Sequence, residues 1–334
     1  MEENTMKTRD SFFDNAKFIL IFLVVFGHII SPYRANDEWL VSIYHFIFIF
    51  HMPAFILLAG HFSTNFHKKG YYVKIITRLL VPYLILQTIY TLFYSQLYAD
   101  PSMTLEYFTP RWAMWFLLSM IAWKLMLPLF GKLQARYSIP LAILLGVVIG
   151  YVDIPERFLS LDRTFYFFPF FLIGYYLTKT DLFEKLKNGA YRVHASAFLV
   201  MLFAAIYFLL GGIDGASILY GTYTFSSVTD MLMRIGIYAG SMLVTIAFFA
   251  LVPKDKYIFT GIGRRSFYVY ILHGFIIKWF FETSFGQAVN SPAGYMLLLL
   301  LSILVTVVTG NKYVVKAIQT PFGYLKESLS LKNG

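Results

Sequence analysis

The chain has 334 residues, of which 58% are hydrophobic and 14% charged, and its mean hydropathy is +0.63. A soluble domain carries about a quarter charged residues, so this composition excludes an ordinary globular protein and points to a bilayer-embedded one. The net charge of +10 lies in short loops beside apolar blocks with no basic–aromatic patch, which argues against a nucleic-acid partner, and the absence of cysteine excludes disulfides, thiolate metal sites and a cysteine nucleophile.

The apolar runs are continuous rather than alternating, so the expected class is an all-α polytopic bundle, not a β-barrel. A helix of about 20 residues crosses the hydrocarbon core. In chain order the predicted spans are 17–33, 39–61, 73–98, 112–130, 139–152, 163–178, 194–212, 230–252, 266–283 and 292–311. The first follows Lys7 and Arg9 and leads into Ser31-Pro32-Tyr33-Arg34 with no small-residue cleavage pair, so it reads as a retained helix rather than a signal peptide. The fifth is short and contains Gly146 and Gly150. One membrane domain over residues 1–334 is expected, with no appended soluble domain. On this ten-span scheme one set of loops holds only Arg34, Arg111, Arg157 and Arg163. Most of the 28 Lys and Arg residues, from Lys7 to Lys326 and Lys332, fall on the opposite side. The positive-inside rule then puts both termini in the cytoplasm, and the expected location is the plasma membrane.

Ionisable groups inside such spans are candidates for function because burying them in lipid is costly. They are His28, His45, His51, Lys124, Arg234, His273 and Lys278, with no Asp or Glu at mid-membrane. Lys17 and His28 are eleven residues apart, so on a helix they lie within about 20° of one another and about 16 Å apart along the axis. Asp14 falls near the same face, three residues from Lys17, close enough for a local ion pair. A cation thus sits at the inner mouth with an imidazole above it near the midplane. Gly27 leaves room for a close approach beside His28.

In the second span, His51 sits at a depth matching His28, and Pro53 opens the helix. A structural alternative is that His51 merely satisfies a freed carbonyl. Lys74 and Arg78, i and i+4 with Pro82 following, are candidates for an anion at the inner face, Arg78 being the deeper of the two. His273 is either a structural bridge or a site residue. Lys124, Arg234 and Lys278 lie near span ends and read as structural. His45 and His51 point to different faces, and with no HExxH pattern a metal site is not expected.

The stretch RDSFFDNAKFILIFLVVFGH, with Arg9, Asp14, Lys17 and His28, resembles the first helix of the membrane acyltransferase-3 family. FHMPAFILLAGHF resembles that family's second-helix block. RLLVPYLI, WFLLSMIAW, FYFFPFFLIGYYL and RRSFYVYILHGFI resemble its third, fourth, sixth and ninth, so the likeness runs in order along almost the whole chain. The fucose 4-O-acetylase-like proteins are the nearest subgroup. Lys17 stands where Arg is common, and Ala59 where Ser usually precedes the glycine; no SGNH-type domain is expected to follow.

The resemblance implies transfer of an acyl group, usually acetyl from acetyl-CoA, to a sugar hydroxyl of a glycan. Nucleotide phosphates would sit at Lys17, Lys74 and Arg78, and the thioester near His28. His28 would act as general base or transient acyl carrier, with His51 or a tyrosine donating to the oxyanion. Trp115, Arg163 and His273 are the candidate acceptor contacts, with Trp39, Arg111 and Arg157 also on the outer side. A transporter of glycans or small molecules and a non-catalytic membrane partner are the competing readings.

Overall fold

The computed structural model describes residues 9–210 and 213–319. Lys7, Lys326 and Lys332, which contributed to the charge bias, and the end of the 194–212 span lie outside the described residues. Among those described, the chain is helical with no strand. In order the helices are α1 (Ser11–Ile30), α2 (Glu38–Phe48), α3 (His51–His61), α4 (Tyr71–Ile75), α5 (Val81–Leu97), α6 (Trp115–Phe130) and α7 (Ala135–Val148). They continue as α8 (Leu161–Leu177), α9 (Leu182–Lys187), α10 (Arg192–Leu210), α11 (Ala216–Leu219), α12 (Val228–Leu251), α13 (Thr260–Arg264), α14 (Ser266–Phe281), α15 (Ser284–Gln287) and α16 (Pro292–Thr309).

Every predicted span coincides with a helical stretch, and the differences at the edges have local causes. The first helix starts at Ser11 rather than 17 because the Asp10 side chain accepts the Phe12 backbone N–H and caps it. Lys17 therefore lies in the second turn, not at the start. The second span is two helices, α2 and α3, broken at Ile49–Phe50, next to Pro53. In the third, Ile76–Leu80 winds as a π turn between α4 and α5. Pro82 has no N–H to offer the Arg78 carbonyl, and Val81 bonds instead to Ile76, five residues back.

Among the described residues, seven stretches are long and apolar enough to cross a membrane: Ser11–Arg34, Glu38–His61, Tyr71–Leu97, Trp112–Phe130, Arg192–Leu210, Val228–Leu251 and Pro292–Thr309. The other three predicted spans fall on α7 with its 3-10 extension to Tyr151, on α8 and on α14. At 16 or 17 residues, α14 and α8 are only about 25 Å long at 1.5 Å per residue.

The short helices are central rather than peripheral. Helix α8 is apolar on all sides and buries Tyr166, Phe167, Phe168, Phe170 and Phe171 between α3, α6 and α7. Its contact with α3 is backbone on backbone: a Cβ at Gly60 would strike the Phe171 carbonyl, and one at Gly174 the Leu57 carbonyl. Without side chains at these positions the helices approach as small residues allow. Gly146 and Gly150 have the same use, meeting the Tyr238 hydroxyl and the Phe225 ring respectively. By contrast, α10 exposes Val193, Val200, Phe208 and Leu209, a face suited to lipid.

Candidate functional site

Helix α1 carries the inner end of the site. Asp14 is buried, yet its carboxylate takes three cations: Arg9 through Nε and Nη2 at 2.8 and 2.9 Å, Lys17 Nζ at 2.7 Å and Arg264 Nε at 3.1 Å. The local Asp14–Lys17 pair matches the expectation from their spacing. Arg264 arrives from 250 residues away and joins it because α13 is pressed onto α1. There Gly263 leaves room for the Asp14 carbonyl, while the Asn15 amide donates to the Pro253 and Asp255 carbonyls and takes the Thr260 hydroxyl at 2.6 Å. Three cations on one carboxylate leave this cluster with a net charge of about +2, a ready anion site.

From this cluster a cavity of about 230 Å³ runs into the bundle. Lys17 and His28 both line it, as do Trp115, Met52, Ala59, Phe116 and Tyr270. The alignment expected from eleven-residue spacing therefore corresponds to one continuous space, walled mainly by apolar side chains. Ala59, where the resembled pattern has serine, adds no hydroxyl to that wall.

The His28 ring is partly open to the cavity and is held by rings rather than by hydrogen bonds. It lies 4.6 Å from Trp112, 5.7 Å from His273 in a stacked arrangement, and 6.4 Å from Phe48. No hydrogen-bond partner for it is found among the described residues, so both ring nitrogens are available to a ligand.

His51 and His273 share a different device. His51 Nδ1 donates to the Ile47 carbonyl at 2.8 Å and His273 Nδ1 to the Val269 carbonyl at 3.0 Å, each four residues back. A carbonyl only accepts, so each ring carries its proton on Nδ1 and leaves Nε2 as the functional edge. His51 thus does satisfy a carbonyl in the α2–α3 break, as the structural alternative supposed. It packs on Phe48 at 4.5 Å, and Phe48 in turn contacts His28. His273 Nε2 is buried with no partner among the described residues.

The remaining candidates divide. Trp115 lines the cavity, and Arg163, 8% exposed, lies against its outer side with the guanidinium carbon 5.2 Å from the ring. Lys74 and Arg78 are exposed and do not line the cavity. Arg234 donates to the Gly146 and Tyr223 carbonyls at 3.0 Å and lies over Phe225, and Lys124 donates to the Ser63 hydroxyl; both are structural, as expected. Beside the turn that leads into α11, His45 Nε2 accepts the Gly215 N–H at 3.0 Å, and Arg34 pairs with Asp214 at 3.0 Å.

Arg264 and Trp112 were not among the expected candidates, and Lys278 was listed among the buried ionisable groups but read as structural. Lys278 Nζ lies 5.5 Å from the Trp112 ring that contacts His28. Arg264 had read only as part of a positive loop. No local sequence signal marks Trp112, which reaches His28 through a 3-10 turn at the start of the fourth span.

A helical bundle with several spans long enough to cross a membrane, a cationic cluster at Asp14 and a mainly apolar cavity leading from it to His28 defines the class as a multi-pass membrane protein. The family described as "Acyltransferase domain" matches residues 10–310, and the chain belongs to this acyltransferase-3 family. Nodulation protein NolL of Sinorhizobium fredii (strain NBRC 101917 / NGR234) is 27% identical over 186 residues, 52% of this chain and 50% of that protein. Nodulation protein NolL of Mesorhizobium japonicum (strain LMG 29417 / CECT 9101 / MAFF 303099) is 22% identical over 343 aligned positions, 95% of this chain and 89% of the relative. No solved structure matches the chain.

Proposed function

We propose that this protein is a membrane-bound O-acyltransferase that moves an acetyl group from cytoplasmic acetyl-CoA to a sugar hydroxyl of a cell-surface or exported glycan. The observation that carries this reading is the single cavity lined by Lys17 at its charged mouth and by His28 within. Family membership supports acyl transfer. On this reading residues 1–334 act as one domain, ten helices cross the plasma membrane, and both termini face the cytoplasm. Within the family we favour the fucose 4-O-acetylase-like subgroup.

Acyl-CoA is a substrate here. Its phosphates suit the Asp14-organised cations Arg9, Lys17 and Arg264, where multiple charge-assisted donors converge. Its pantetheine arm suits the apolar walls. Lys74 and Arg78, exposed near the inner end of the third span, attract the anion at longer range, which mainly aids encounter. His28 takes the proton from the acceptor hydroxyl as that oxygen attacks the thioester carbonyl carbon; the C–S bond then breaks, and the imidazolium returns the proton to the CoA thiolate, which leaves as the free thiol. Carrying the acyl group itself is the alternative role for the same ring. The unpartnered Nε2 of His273, stacked beside His28, accepts a proton or orients the acceptor. His51, one ring further back, positions Phe48 against His28.

The test is transfer of radiolabelled acetyl from acetyl-CoA by protein reconstituted in vesicles, with mass spectrometry of surface glycans in cells. His28→Ala should abolish ester formation while leaving membrane abundance and CoA binding intact. Wild-type transfer by that variant would remove the mechanism.

A further inference from the structure

Arg163 is the buried charge with no counterpart. It enters at the first turn of α8, is 8% exposed, and its Nε is buried without a hydrogen-bond partner. Among the described residues, no hydrogen bond or ion pair reaches any nitrogen of this guanidinium. Asp162, next in sequence, has an oxygen 2.7 Å from the Arg163 backbone N–H, accepts that hydrogen bond, and makes no ion pair with the side chain. The guanidinium instead lies against two rings, 5.2 Å from Trp115 and 5.1 Å from Tyr220.

A buried cation held only by aromatic rings is an expensive arrangement, because rings replace little of the lost hydration. Arg234, at similar burial, shows the ordinary solution in this same fold: its N–H groups are spent on backbone carbonyls. No hydrogen bond among the described residues occupies the Arg163 guanidinium, so its N–H groups remain for a partner. That planar fork matches a carboxylate or a phosphate.

Two further observations point the same way. The turn that delivers Arg163 is strained: Arg157, Leu159 and Ser160 all have positive φ, at 63°, 51° and 48°, although none is glycine. A second cation without a hydrogen-bond or ion-pair partner among the described residues, Lys278, lies over Trp112, the ring that touches His28. Arg163 thus packs on Trp115, which lines the cavity together with His28, and Lys278 lies over Trp112, which contacts His28.

We propose that Arg163, assisted by Lys278, is a receptor for an anionic group on the acyl acceptor, so that the acceptor is an acidic glycan or a sugar on a phosphorylated lipid carrier rather than a neutral sugar. The inference rests on the acyltransferase reading above. It assigns the anion to the acceptor because the donor's phosphates have the separate cluster at Asp14.

The experiment measures equilibrium binding to the full chain in nanodiscs for two matched pairs. One pair is a galacturonate trimer and a galactose trimer; the other is a short polyprenyl phosphate and its parent alcohol. Wild type should bind the charged member of one pair about 10- to 100-fold more tightly, the range for hydrogen bonds to a charged group. The first pair identifies an acidic sugar, the second a phosphorylated lipid carrier. Arg163→Gln should erase the preference, and Arg163→Lys, which keeps charge without the fork, should retain part of it. Equal binding within both pairs by wild type, or an unchanged preference in Arg163→Gln, overturns the proposal. If Arg163→Gln fails to fold, wild type and Arg163→Lys still decide. Acetyl transfer is measured alongside: a charge preference without transfer to any acceptor would overturn the enzyme reading alone, whereas transfer without preference would overturn the anion receptor alone.

Discussion

Two charged regions, one lining the cavity and one packed behind its Trp115 wall, are built on opposite plans. At the inner mouth, Asp14 gathers Arg9, Lys17 and Arg264 and fixes their geometry before any ligand arrives. Beyond Trp115, Arg163 forms no ion pair among the described residues and lies against Trp115 and Tyr220, with Asp162 acting on it only at longer range. The first plan resembles a preorganised clamp whose cations lose little freedom on binding; the second leaves a guanidinium edge whose pairing is completed from outside. A protein that must accept one universal donor and one particular acceptor gains from that asymmetry.

The largest effect belongs to the group between these regions. His28→Ala should lower acetyl transfer by about 10²- to 10⁴-fold, the span attributed to general acid–base catalysis, with little change in the acyl-CoA concentration dependence. Next comes the clamp. Asp14→Asn removes the shared carboxylate and leaves three cations repelling one another, so the KM for acyl-CoA should rise more than in Lys17→Ala. An equal or smaller rise would mean that Lys17 acts alone. Lys17→Ala should raise that KM by about tenfold, the loss of one charge-assisted contact, whereas Arg78→Ala should change it less than about twofold, given the exposed position. Titrations of initial rate against acyl-CoA read all three variants.

A stability measurement separates these charge effects from collapse of the cavity wall. Gly174→Ala drives a methyl into the Leu57 carbonyl and should destabilise by about 1–3 kcal/mol. Gly240→Ala, where the added Cβ meets open space, should be neutral or mildly stabilising. Thermal unfolding in detergent compares them. The smallest effect concerns the outer loop. Burial tends to raise the Asp214 carboxyl pKa, but hydrogen bonds from Arg34 and the Ala216 N–H outweigh it, and the value falls below the ordinary carboxylate range. Its contribution is therefore present above the unfolded pKa, near 4, and is lost as pH falls through the depressed one. Amide exchange at Ala216 should accelerate only in that acidic window, and Asp214→Asn should remove the pH dependence.

Much of the bundle was legible because apolar blocks of span length are themselves the signal, and each predicted block is helical. The track was legible for a similar reason: an eleven-residue spacing is nearly three whole turns, so Lys17 and His28 share a face whatever surrounds them. Contacts between distant segments were not. Nothing near Arg264 reveals that it meets Asp14, and nothing near Val269 shows that His273 stacks on His28. Lys74 and Arg78 were legible as a basic pair at one end of the third span, but the exposed position that keeps them off the cavity lining was not. Arg163 was legible as an outer-loop cation, but its lack of an acid partner belongs to tertiary packing.

The close contacts of Gly60 with Phe171 and of Gly174 with Leu57 have a mechanical consequence. With bare backbones touching at two heights, α3 and α8 cannot slide or roll independently, because either motion drives a carbonyl into a Cα. They form a lever with Arg163 near one end and Leu58 and Ala59 along the wall of the donor's channel. A tilt of α8 as an anion seats at Arg163 is therefore handed to that wall. Distance measurements between spin labels on α3 and on α6 would detect it as a change on adding acceptor alone, absent in Arg163→Gln.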